Sequence, residues 1–320
     1  MTEVLITGGA GFIGSHLLDE LLRDEQNRVT CLDNLDPFYD ATTKLDNIRA
    51  HRGNPRFTFV QADIREPESL RQNLKGKYEV VVHLAAKAGV RPSLLNPYQF
   101  QQVNLMGTQN LLEMAREWGT RQFVFASSSS VYGVSPKVPW SESDNVLQPI
   151  SPYAVSKVAG ELMGHVYSQV YGMRFIALRF FTVFGPRQRP DLAIHKFTDL
   201  ILRGKPIQIY GDGTTRRDYT YVSDTVQGIM GAIRYDRSLY EIINLGNNAP
   251  VTMNELIGTL EETLGRRAIV ERLPEQQGDV PQTYADIAKA QQLLGYQPGV
   301  NLKKGLASFY EWFIHTKKQQ

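Results

Sequence analysis

The sequence has 320 residues, of which 42% are hydrophobic and 21% are charged, as in an ordinary globular protein. Its 35 Lys and Arg residues nearly balance its 33 Asp and Glu residues, so a net charge of +2 gives no case for nucleic-acid binding. The single cysteine, Cys31, cannot form an internal disulfide, which favours a reducing compartment. We find no signal peptide and no apolar run of the roughly 18 residues that span a bilayer, so we expect a cytoplasmic protein without a membrane partner.

Short β-branched runs alternate with amphipathic segments through the first half of the chain. The predicted strands cover residues 3–8, 29–33, 57–63, 78–85, 121–127, 174–180 and 241–246. The predicted helices cover residues 13–24, 108–119, 252–264 and a segment near 286–294. Apolar strands separated by helices predict right-handed crossovers and a parallel sheet. We therefore expect an α/β fold with a doubly wound parallel sheet of the Rossmann type.

The pattern loosens from about residue 180, where prolines and glycines break it into shorter pieces. We place a first, Rossmann domain at residues 1–178 and 222–248. A smaller, partly interleaved α/β lobe is expected at residues 179–221 and 249–320. A ligand cleft should lie between the two.

A glycine-rich loop, ITGGAGFIGSHL, separates the first predicted strand from the first predicted helix and contains Gly8, Gly11 and Gly14. Glycine allows backbone to approach a pyrophosphate closely, and the helix N-terminus attracts its charge. Such a loop alone is also compatible with a plain tight turn, but Asp33 closes the second strand 19 residues after Gly14, near the ~20 expected for an acid on a ribose hydroxyl. Its carboxylate would repel a 2′-phosphate, so the pattern predicts NAD rather than NADP.

A second motif, SPYAVSK, puts Tyr153 and Lys157 on one face of a predicted helix, 20 residues after the serine run FASSSSVYG. The tyrosine pKa of about 10 is too high for a base, but a lysine ammonium and a nicotinamide cation would lower it. A Tyr–Lys pair also arises by chance, and a serine run is usually a polar loop. Together, downstream of a dinucleotide loop, they favour catalysis.

The stretches T-G-G-A-G-F-I-G, S-S-S-S-V-Y-G and Y-x-x-x-K together resemble the extended short-chain dehydrogenase/reductase family over essentially the whole chain. Within that family the sequence is most similar to the sugar-nucleotide 4-epimerases. The resemblance implies that Tyr153 is the catalytic base, that Lys157 holds the nicotinamide ribose and that Ser128 is the catalytic hydroxyl. It also implies that the second lobe binds the nucleotide sugar.

The same resemblance implies two sets of ligand contacts. The implied NAD contacts are Gly8, Gly11, Phe12, Ile13, Gly14, Asp33, Asn34, Asp63, Ile64, Leu84, Ala85, Ala86, Tyr153 and Lys157. The implied UDP-sugar contacts are Arg91, Ser128, Ser129, Thr182, Arg189, Arg217 and Asp279. Lys87 departs from the glutamine expected after Ala86, which leaves its role open. The six histidines lack metal-ligand spacing, so no metal is expected.

The stretch GPRQRPDLA, residues 185–193, resembles the UDP-glucuronate 4-epimerases, where G-P-R-Q-R-P-D-M-A is typical. The resemblance implies that Thr182 and Arg189 contact the sugar carboxylate, and a guanidinium matches a carboxylate bidentately. Residues 33–40 and 88–93 favour the same group. Two alternatives stay open: Arg187 and Arg189 grip the diphosphate, or they form a solvated loop.

We therefore expect NAD-dependent C4 epimerisation of UDP-glucuronate to UDP-galacturonate through a transient 4-keto sugar. The alternatives are a 4-epimerase of UDP-glucose or UDP-N-acetylglucosamine, a UDP-glucuronate decarboxylase and a non-catalytic NAD-binding protein. A 4,6-dehydratase is disfavoured, because Ser129 and Ser130 stand where an acidic pair is expected.

A homodimer is expected by the same resemblance, through the helices around residues 95–118 and 153–170. Their apolar residues are compatible with a dimer interface and equally with burial against the sheet: Leu111, Leu112, Leu162, Met163 and Val166. His195 and Cys31 are both expected to be packing residues rather than reactive groups.

Overall fold

Seven parallel strands form the central sheet of this computed structural model, which describes residues 2–274 and 280–319. In chain order the strands of the protein are β1 (Thr2–Thr7), β2 (Asn27–Asp33), β3 (Phe57–Gln61), β4 (Val80–His83), β5 (Gln122–Ser128), β6 (Arg174–Phe180), β7 (Thr182–Phe184), β8 (Ile207–Tyr210), β9 (Arg216–Tyr221), β10 (Tyr240–Leu245), β11 (Pro250–Thr252) and β12 (Val270–Leu273). The central sheet has the order β3-β2-β1-β4-β5-β6-β10, with every pair parallel. The predicted doubly wound sheet is confirmed.

The sheet is buried on both faces, as apolar strands in a parallel sheet require. Val4 on β1 pairs in register with Val29 on β2 and with Val80 on β4, and all three side chains are buried. Strand β10 pairs with β6 and so returns to the sheet, as predicted from the sequence. The carboxyl ends of these strands lie along one edge, where ligands of such sheets bind.

Helices cover both faces of the sheet and build much of the second lobe. They are α1 (Phe12–Arg23), α2 (Ala41–Ile48), α3 (Pro67–Asn73), α4 (Val90–Leu95), α5 (Pro97–Gln101), α6 (Gly107–Trp118), α7 (Pro152–Tyr171), α8 (Ala193–Leu202), α9 (Val222–Arg234), α10 (Met253–Leu264), α11 (Ala288–Leu294) and α12 (Leu302–Gln319). Within the described ranges, no helix combines the length and the apolar character needed to cross a membrane.

Helix α7 lies unusually close to the sheet. It begins at Pro152, after the Ser151 hydroxyl, which accepts a hydrogen bond from the Ala154 amide. A Cβ on Gly160 would lie 2.3 Å from the Phe125 ring, and one on Gly164 would lie 2.2 Å from the ring of Phe175. These two glycines therefore let the helix backbone rest directly on strands β5 and β6.

The second lobe has a core of its own, built around two small sheets, β11-β9-β7 and β12-β8. All of its buried apolar members lie in the ranges predicted for the smaller lobe: Phe184, Ile194, Phe197, Ile201, Ile207, Ile209, Tyr219, Leu256, Ile257, Leu260, Leu264, Leu306, Phe309 and Phe313. Residues 285–296, which include α11, instead pack Ala290 and Tyr296 into the core of the central sheet. The exact division into two domains stays a prediction.

Candidate active site

The glycine loop joins β1 to α1 and folds tightly on itself. Gly8 has a φ of 69°, and a Cβ there would lie 2.8 Å from the amide nitrogen of Ala85. A Cβ on Gly14 would lie 2.4 Å from the Gly8 carbonyl oxygen, so a side chain at Gly14 would push the helix off the loop. The first-turn amides of α1 have no partner within the helix, which suits a pyrophosphate.

Asp33 ends strand β2 beside this loop. Its carboxylate is buried, accepts a hydrogen bond from the Leu35 amide at 2.9 Å, and lies 3.7 Å from the Lys44 ammonium. Burial raises the pKa of Asp33, and the charge of Lys44 opposes that rise. The sequence analysis missed Lys44, because it lies on α2 and no spacing rule links it to Asp33.

A second polar group lies at the end of β3. The Asn34 amide donates to Asp63 at 2.9 Å, and Arg65 donates to the same carboxylate through two nitrogens at 2.9 and 2.8 Å. These bonds lower the pKa of Asp63 to about 2. The next residue, Ile64, is buried. Three of the expected NAD contacts, Asn34, Asp63 and Ile64, therefore lie together at adjacent strand ends.

Leu84 and Ala85 follow β4 and border the glycine loop from the other side. The Ala85 amide donates a hydrogen bond to the Thr7 hydroxyl at 3.2 Å. The Leu84 amide donates to the Thr7 carbonyl at 3.1 Å. Both residues are partly exposed, as is Ala86, so they form an accessible floor beside the loop.

Ser128, Tyr153 and Lys157 lie together where β5 ends beneath the first turns of α7. The Ser128 hydroxyl lies close enough to the Tyr153 phenol to affect its pKa. The Lys157 ammonium is buried, donates to the Ala126 carbonyl at 2.7 Å, and lies 5.8 Å from the centre of the Tyr153 ring. The structure therefore brings all three predicted catalytic residues to one place.

The electrostatics of this group are set by burial. Burial raises the pKa of Tyr153, while the Ser128 hydroxyl and the charge of Arg189 oppose that rise. Burial lowers the pKa of Lys157 to about 7, and the carboxylate of Glu161 opposes that fall. In the protein alone the phenol is therefore protonated at neutral pH. Lowering the pKa of Tyr153 toward neutrality requires the further positive charge that a nicotinamide ring brings.

Glu161 and Arg179 form a buried ion pair below the Tyr–Lys pair. Arg179 donates to both oxygens of Glu161, at 2.9 and 2.8 Å, and the Ser127 hydroxyl donates to the same carboxylate at 2.5 Å. Sequence reasoning missed this pair, although the spacing of Glu161 from Lys157 puts both on one helix face. Three residues of α7 thus act on consecutive residues at the end of β5: Lys157 on Ala126, Glu161 on Ser127 and Tyr153 on Ser128.

Arg189 lies close enough to Tyr153 for its charge to act on the phenol. It donates to both oxygens of Asp191, at 2.9 and 2.6 Å, through Nε and Nη2. Its guanidinium also lies 5.1 Å from the centre of the Phe38 ring. The two Asp191 hydrogen bonds occupy the Nε and Nη2 edge of the guanidinium. The Nη1 nitrogen therefore points away from Asp191. Thr182 begins strand β7, two residues after β6 ends.

Arg187 does not join Arg189. It has a φ of 62°, in the left-handed region, and its guanidinium donates to Asp19 on α1 at 2.7 Å. The two arginines are close together in the sequence, which suggested a shared ligand. The structure separates their side chains: Arg187 binds the NAD-side helix and Arg189 borders Tyr153.

The remaining predicted contacts have the following surroundings. The Arg91 guanidinium lies 4.4 Å from the centre of the Tyr210 ring. Arg217 lies on β9, where it donates to the Arg216 carbonyl at 2.8 Å. Ser129 starts a short 3₁₀ helix. The predicted contact Asp279 lies outside the described residues.

Lys87, whose role the sequence left open, has a clear partner. Its ammonium lies 2.9 Å from the carboxylate of Asp36, and it also lies 5.8 Å from the centre of the Phe38 ring. Lys87 therefore ties the segment after β4 to the loop after β2.

Two residues expected to be structural are so. The His195 Nδ1–H donates a hydrogen bond to the Gln188 carbonyl at 2.8 Å, and the ring packs edge-on against Phe309. Cys31 is buried in the core of the sheet, where burial raises the pKa of its thiol. Across residues 2–274 and 280–319, no group of three His, Cys, Asp or Glu side chains is placed to hold a metal ion.

These features define an enzyme of the extended short-chain dehydrogenase/reductase class, and the chain belongs to the family described as GDP-mannose 4,6 dehydratase, whose model matches residues 5–309. A UDP-glucuronate 4-epimerase from Thermodesulfobacterium geofontis is 40% identical over 315 residues, which cover 98% of this chain and 96% of that protein. The family expected from the sequence is thus confirmed.

Two solved structures have the same fold over nearly their whole length. The UDP-glucuronic acid 4-epimerase from Bacillus cereus, in complex with UDP-glucuronic acid and NAD, matches with a TM-score of 0.92 and 38% identity, covering 98% of this chain and 100% of that one. The UDP-glucose 4-epimerase from Thermotoga maritima, with UDP-glucose, matches with a TM-score of 0.90 and 33% identity, covering 99% and 100%.

Proposed function

We propose that this protein is an NAD-dependent epimerase that interconverts UDP-glucuronate and UDP-galacturonate through a transient 4-keto sugar. The observation that carries the proposal is Arg189, whose charge acts on the Tyr153 phenol from across the site. A cation beside the proposed base is what a substrate with a carboxylate next to its reacting carbons requires. The similarity to UDP-glucuronate 4-epimerases supports the same substrate.

The chain has the residues to hold NAD. The amides at the start of α1 would bind the pyrophosphate, and the Asp33 carboxylate would accept hydrogen bonds from a ribose. Lys157 would hold the other ribose, next to the nicotinamide. When bound, NAD supplies a hydride acceptor for C4 of the sugar and later a hydride donor to the opposite face.

The side chains of this protein manage the proton. Tyr153, as a phenolate, takes the proton of the C4 hydroxyl when C4 is oxidised and returns it when C4 is reduced. The Ser128 hydroxyl, which acts on the same phenol, would share that proton with it. The ammonium of Lys157 stabilises the phenolate electrostatically. Since each proton taken is given back, the cycle consumes no external acid or reductant.

Arg189 would control the fate of the 4-keto sugar. That intermediate is a β-keto acid, which loses CO₂ when its C–CO₂ bond aligns with the carbonyl π-system. A guanidinium bound to the carboxylate holds it out of that alignment, and Thr182 would contact the same carboxylate. Arg91, Ser129 and Arg217 are proposed to bind the rest of the UDP-sugar.

We also propose a homodimer formed through α7 and the helices before α6. Leu111 and Leu112 are fully buried against the sheet, so they are not available to a partner. Leu162 and Val166, in contrast, are 57% and 53% exposed on the outer face of α7. Further apolar side chains of α7 and of the helical segments that pack against it are also exposed: Leu95, Tyr98, Met106 and Val170. A second copy would cover this stripe.

We propose a cytoplasmic location. The chain has a single cysteine, Cys31, which is buried and unpaired, as suits a reducing compartment. Detection of a tagged full-length protein in the cell fractions of its source would test this.

Proton NMR of the purified protein with UDP-glucuronate, without added NADH, tests the function directly. We expect UDP-galacturonate at a stable ratio and no UDP-pentose. Interconversion of UDP-glucose and UDP-galactose, with UDP-glucuronate unchanged, would instead indicate a neutral-sugar epimerase. Release of CO₂ with UDP-pentose would indicate a decarboxylase.

A further inference from the structure

Two side chains of α1 hold the segment that leads to Arg189. Asp19 accepts the hydrogen bond from the Arg187 guanidinium at 2.7 Å. One turn earlier on the same helix, His16 Nε2 lies 2.9 Å from the Pro186 carbonyl oxygen. Burial lowers the pKa of His16 to about 4, so the ring is neutral and its Nε2–H donates to that carbonyl. Helix α1 thus grips two consecutive residues of the segment.

The contact continues along one face of α1. At the start of the helix, Phe12 packs with Val183 on β7 and with Val222 at the start of α9. Phe12, His16 and Asp19 are spaced as residues on one helix face, so they follow the chain from Val183 to Arg187 in order. The segment that carries Arg189 is therefore anchored on the helix whose first turn faces the proposed NAD site.

Only one residue, which is buried and hydrogen-bonded, separates Arg187 from Arg189. The single intervening residue, Gln188, is 3% exposed, and its amide donates to the Gly185 carbonyl at 3.2 Å. Its own carbonyl is held by His195 at 2.8 Å. Arg187, Gln188 and Arg189 therefore form one ordered stretch of backbone, in which the conformation of Arg187 sets the direction of the chain that continues to Arg189.

Arg187 also needs a partner to keep its conformation. A non-glycine residue rarely has a φ of 62°, and such a backbone persists only where the surroundings hold it. The carboxylate of Asp19 is the partner of its side chain, and His51 binds the other oxygen of that carboxylate at 2.6 Å. The His51 contact orients Asp19 from the opposite side.

We propose that Asp19 is a specificity-determining positioning residue for the uronate carboxylate: through Arg187 it sets where Arg189 presents its guanidinium. This inference rests on the proposed function, in which Arg189 binds that carboxylate. Both carboxylate oxygens of Asp19 are bound by protein side chains, His51 and Arg187, so we place its effect on Arg187. Through Asp19, helix α1 would therefore contribute to the discrimination between a charged and a neutral sugar.

The test compares Asp19→Asn with Glu20→Gln in full-length protein loaded with NAD. Glu20 is the next residue on α1 and pairs with Arg23 on the exposed side, so it is a matched control that loses one charge of the same helix. Binding of UDP-glucuronate and of UDP-glucose is measured by titration calorimetry for each variant. The ratio of the two dissociation constants is the readout, since a general loss of folding would change both alike.

We expect Asp19→Asn to weaken UDP-glucuronate binding about fivefold, the size typical of losing a partly exposed ion pair, with UDP-glucose binding changed less than about twofold. Glu20→Gln should leave the ratio unchanged. The charge-exchanged double variant Asp19→Arg with Arg187→Asp should recover part of the preference, which a merely structural role of Asp19 would not predict.

If the wild-type protein prefers UDP-glucuronate and Asp19→Asn keeps the full preference, the inference about Asp19 is wrong while the proposed function stands. An equal loss for both ligands would likewise overturn it. If the wild-type protein has no preference for the uronate, the proposed function and the inference both fail.

Discussion

The buried ion pair between Arg179 and Glu161 allows a sharp prediction about stability. The two side chains are 1% and 3% exposed, so neither charge can turn to water. Replacing Arg179 with Met keeps much of the volume but leaves the Glu161 carboxylate buried, with Ser127 as its remaining donor. Breaking one partner of a buried pair costs more than the pair itself contributes, because an uncompensated charge is left behind.

The size of the loss follows from the contacts. Arg179 donates two hydrogen bonds to a charged acceptor, each worth about 1.5–3 kcal/mol. Its guanidinium also lies 4.8 Å from the centre of the Tyr132 ring, a desolvated cation–π contact worth up to about 2 kcal/mol. After the packing gained by Met, we expect Arg179→Met to lower the free energy of unfolding by about 3–5 kcal/mol.

Urea unfolding in saturating NAD measures this loss. With a denaturant slope of about 3 kcal/mol per M, the midpoint should fall by about 1 M or more. The control is Arg174→Met on the same strand, since Arg174 is only partly buried and one of its hydrogen bonds goes to the Ser238 carbonyl. That variant should lose less than about 1 kcal/mol.

A double variant separates charge from packing. Combining Arg179→Met with Glu161→Leu removes both charges, so most of the lost stability should return. A loss below about 1 kcal/mol in Arg179→Met would refute the reasoning, as it would mean that the carboxylate finds water or another cation. A double variant as unstable as the single one would show that packing, rather than charge, governs this site.

Four further outcomes are expected. Gly14→Ala should lose bound NAD, because its Cβ would lie 2.4 Å from the Gly8 carbonyl oxygen; full NAD content in the denatured, chromatographed protein would contradict this. Arg189→Ala should weaken UDP-glucuronate binding about tenfold or more and raise the pentose by-product, and an unchanged affinity and product ratio in calorimetry and NMR would exclude its role. Leu162→Lys should halve the mass seen by ultracentrifugation, and an unchanged mass would argue against the proposed interface. His83 has a pKa lowered by burial from 6.5 to about 3, so the unfolded state binds the proton first and wild-type stability falls as pH drops below 6.5. Chemical unfolding at pH 4 to 7 should show a shallower fall in His83→Gln, because this histidine contributes at most about 1.4 kcal/mol per pH unit while His16, whose pKa burial also lowers, still contributes; equal slopes would contradict the assignment.

The sequence predicted the features that depend on local period. Apolar runs identified the seven strands of the sheet, and the four-residue spacing put Tyr153 and Lys157 on one face of α7. The period of a helix does not say what its apolar residues meet, however. Leu111 and Leu162 look alike in the sequence, yet the first is fully buried against the sheet and the second is exposed.

Contacts between segments that are far apart in the chain could not be predicted from a single sequence. Asp19 and Arg187 are 168 positions apart, and the left-handed backbone of Arg187, which turns its side chain toward α1, is unusual for a residue other than glycine. Lys44 beside Asp33 and Arg179 beside Glu161 were missed for another reason: each pair joins a helix to the strand next to it in the chain, and no fixed spacing says which residues of the two meet.

The close seating of α7 on the sheet has a consequence for engineering this scaffold. Gly160 and Gly164 set the distance between the helix and strands β5 and β6, and so the height at which Tyr153 stands over the edge of the sheet. A variant library meant to change the accepted sugar should hold these two positions constant and diversify the segment around Arg189. Sugar recognition would then change through the side chains around Arg189, while Tyr153 and Lys157 on α7 keep their positions for proton transfer.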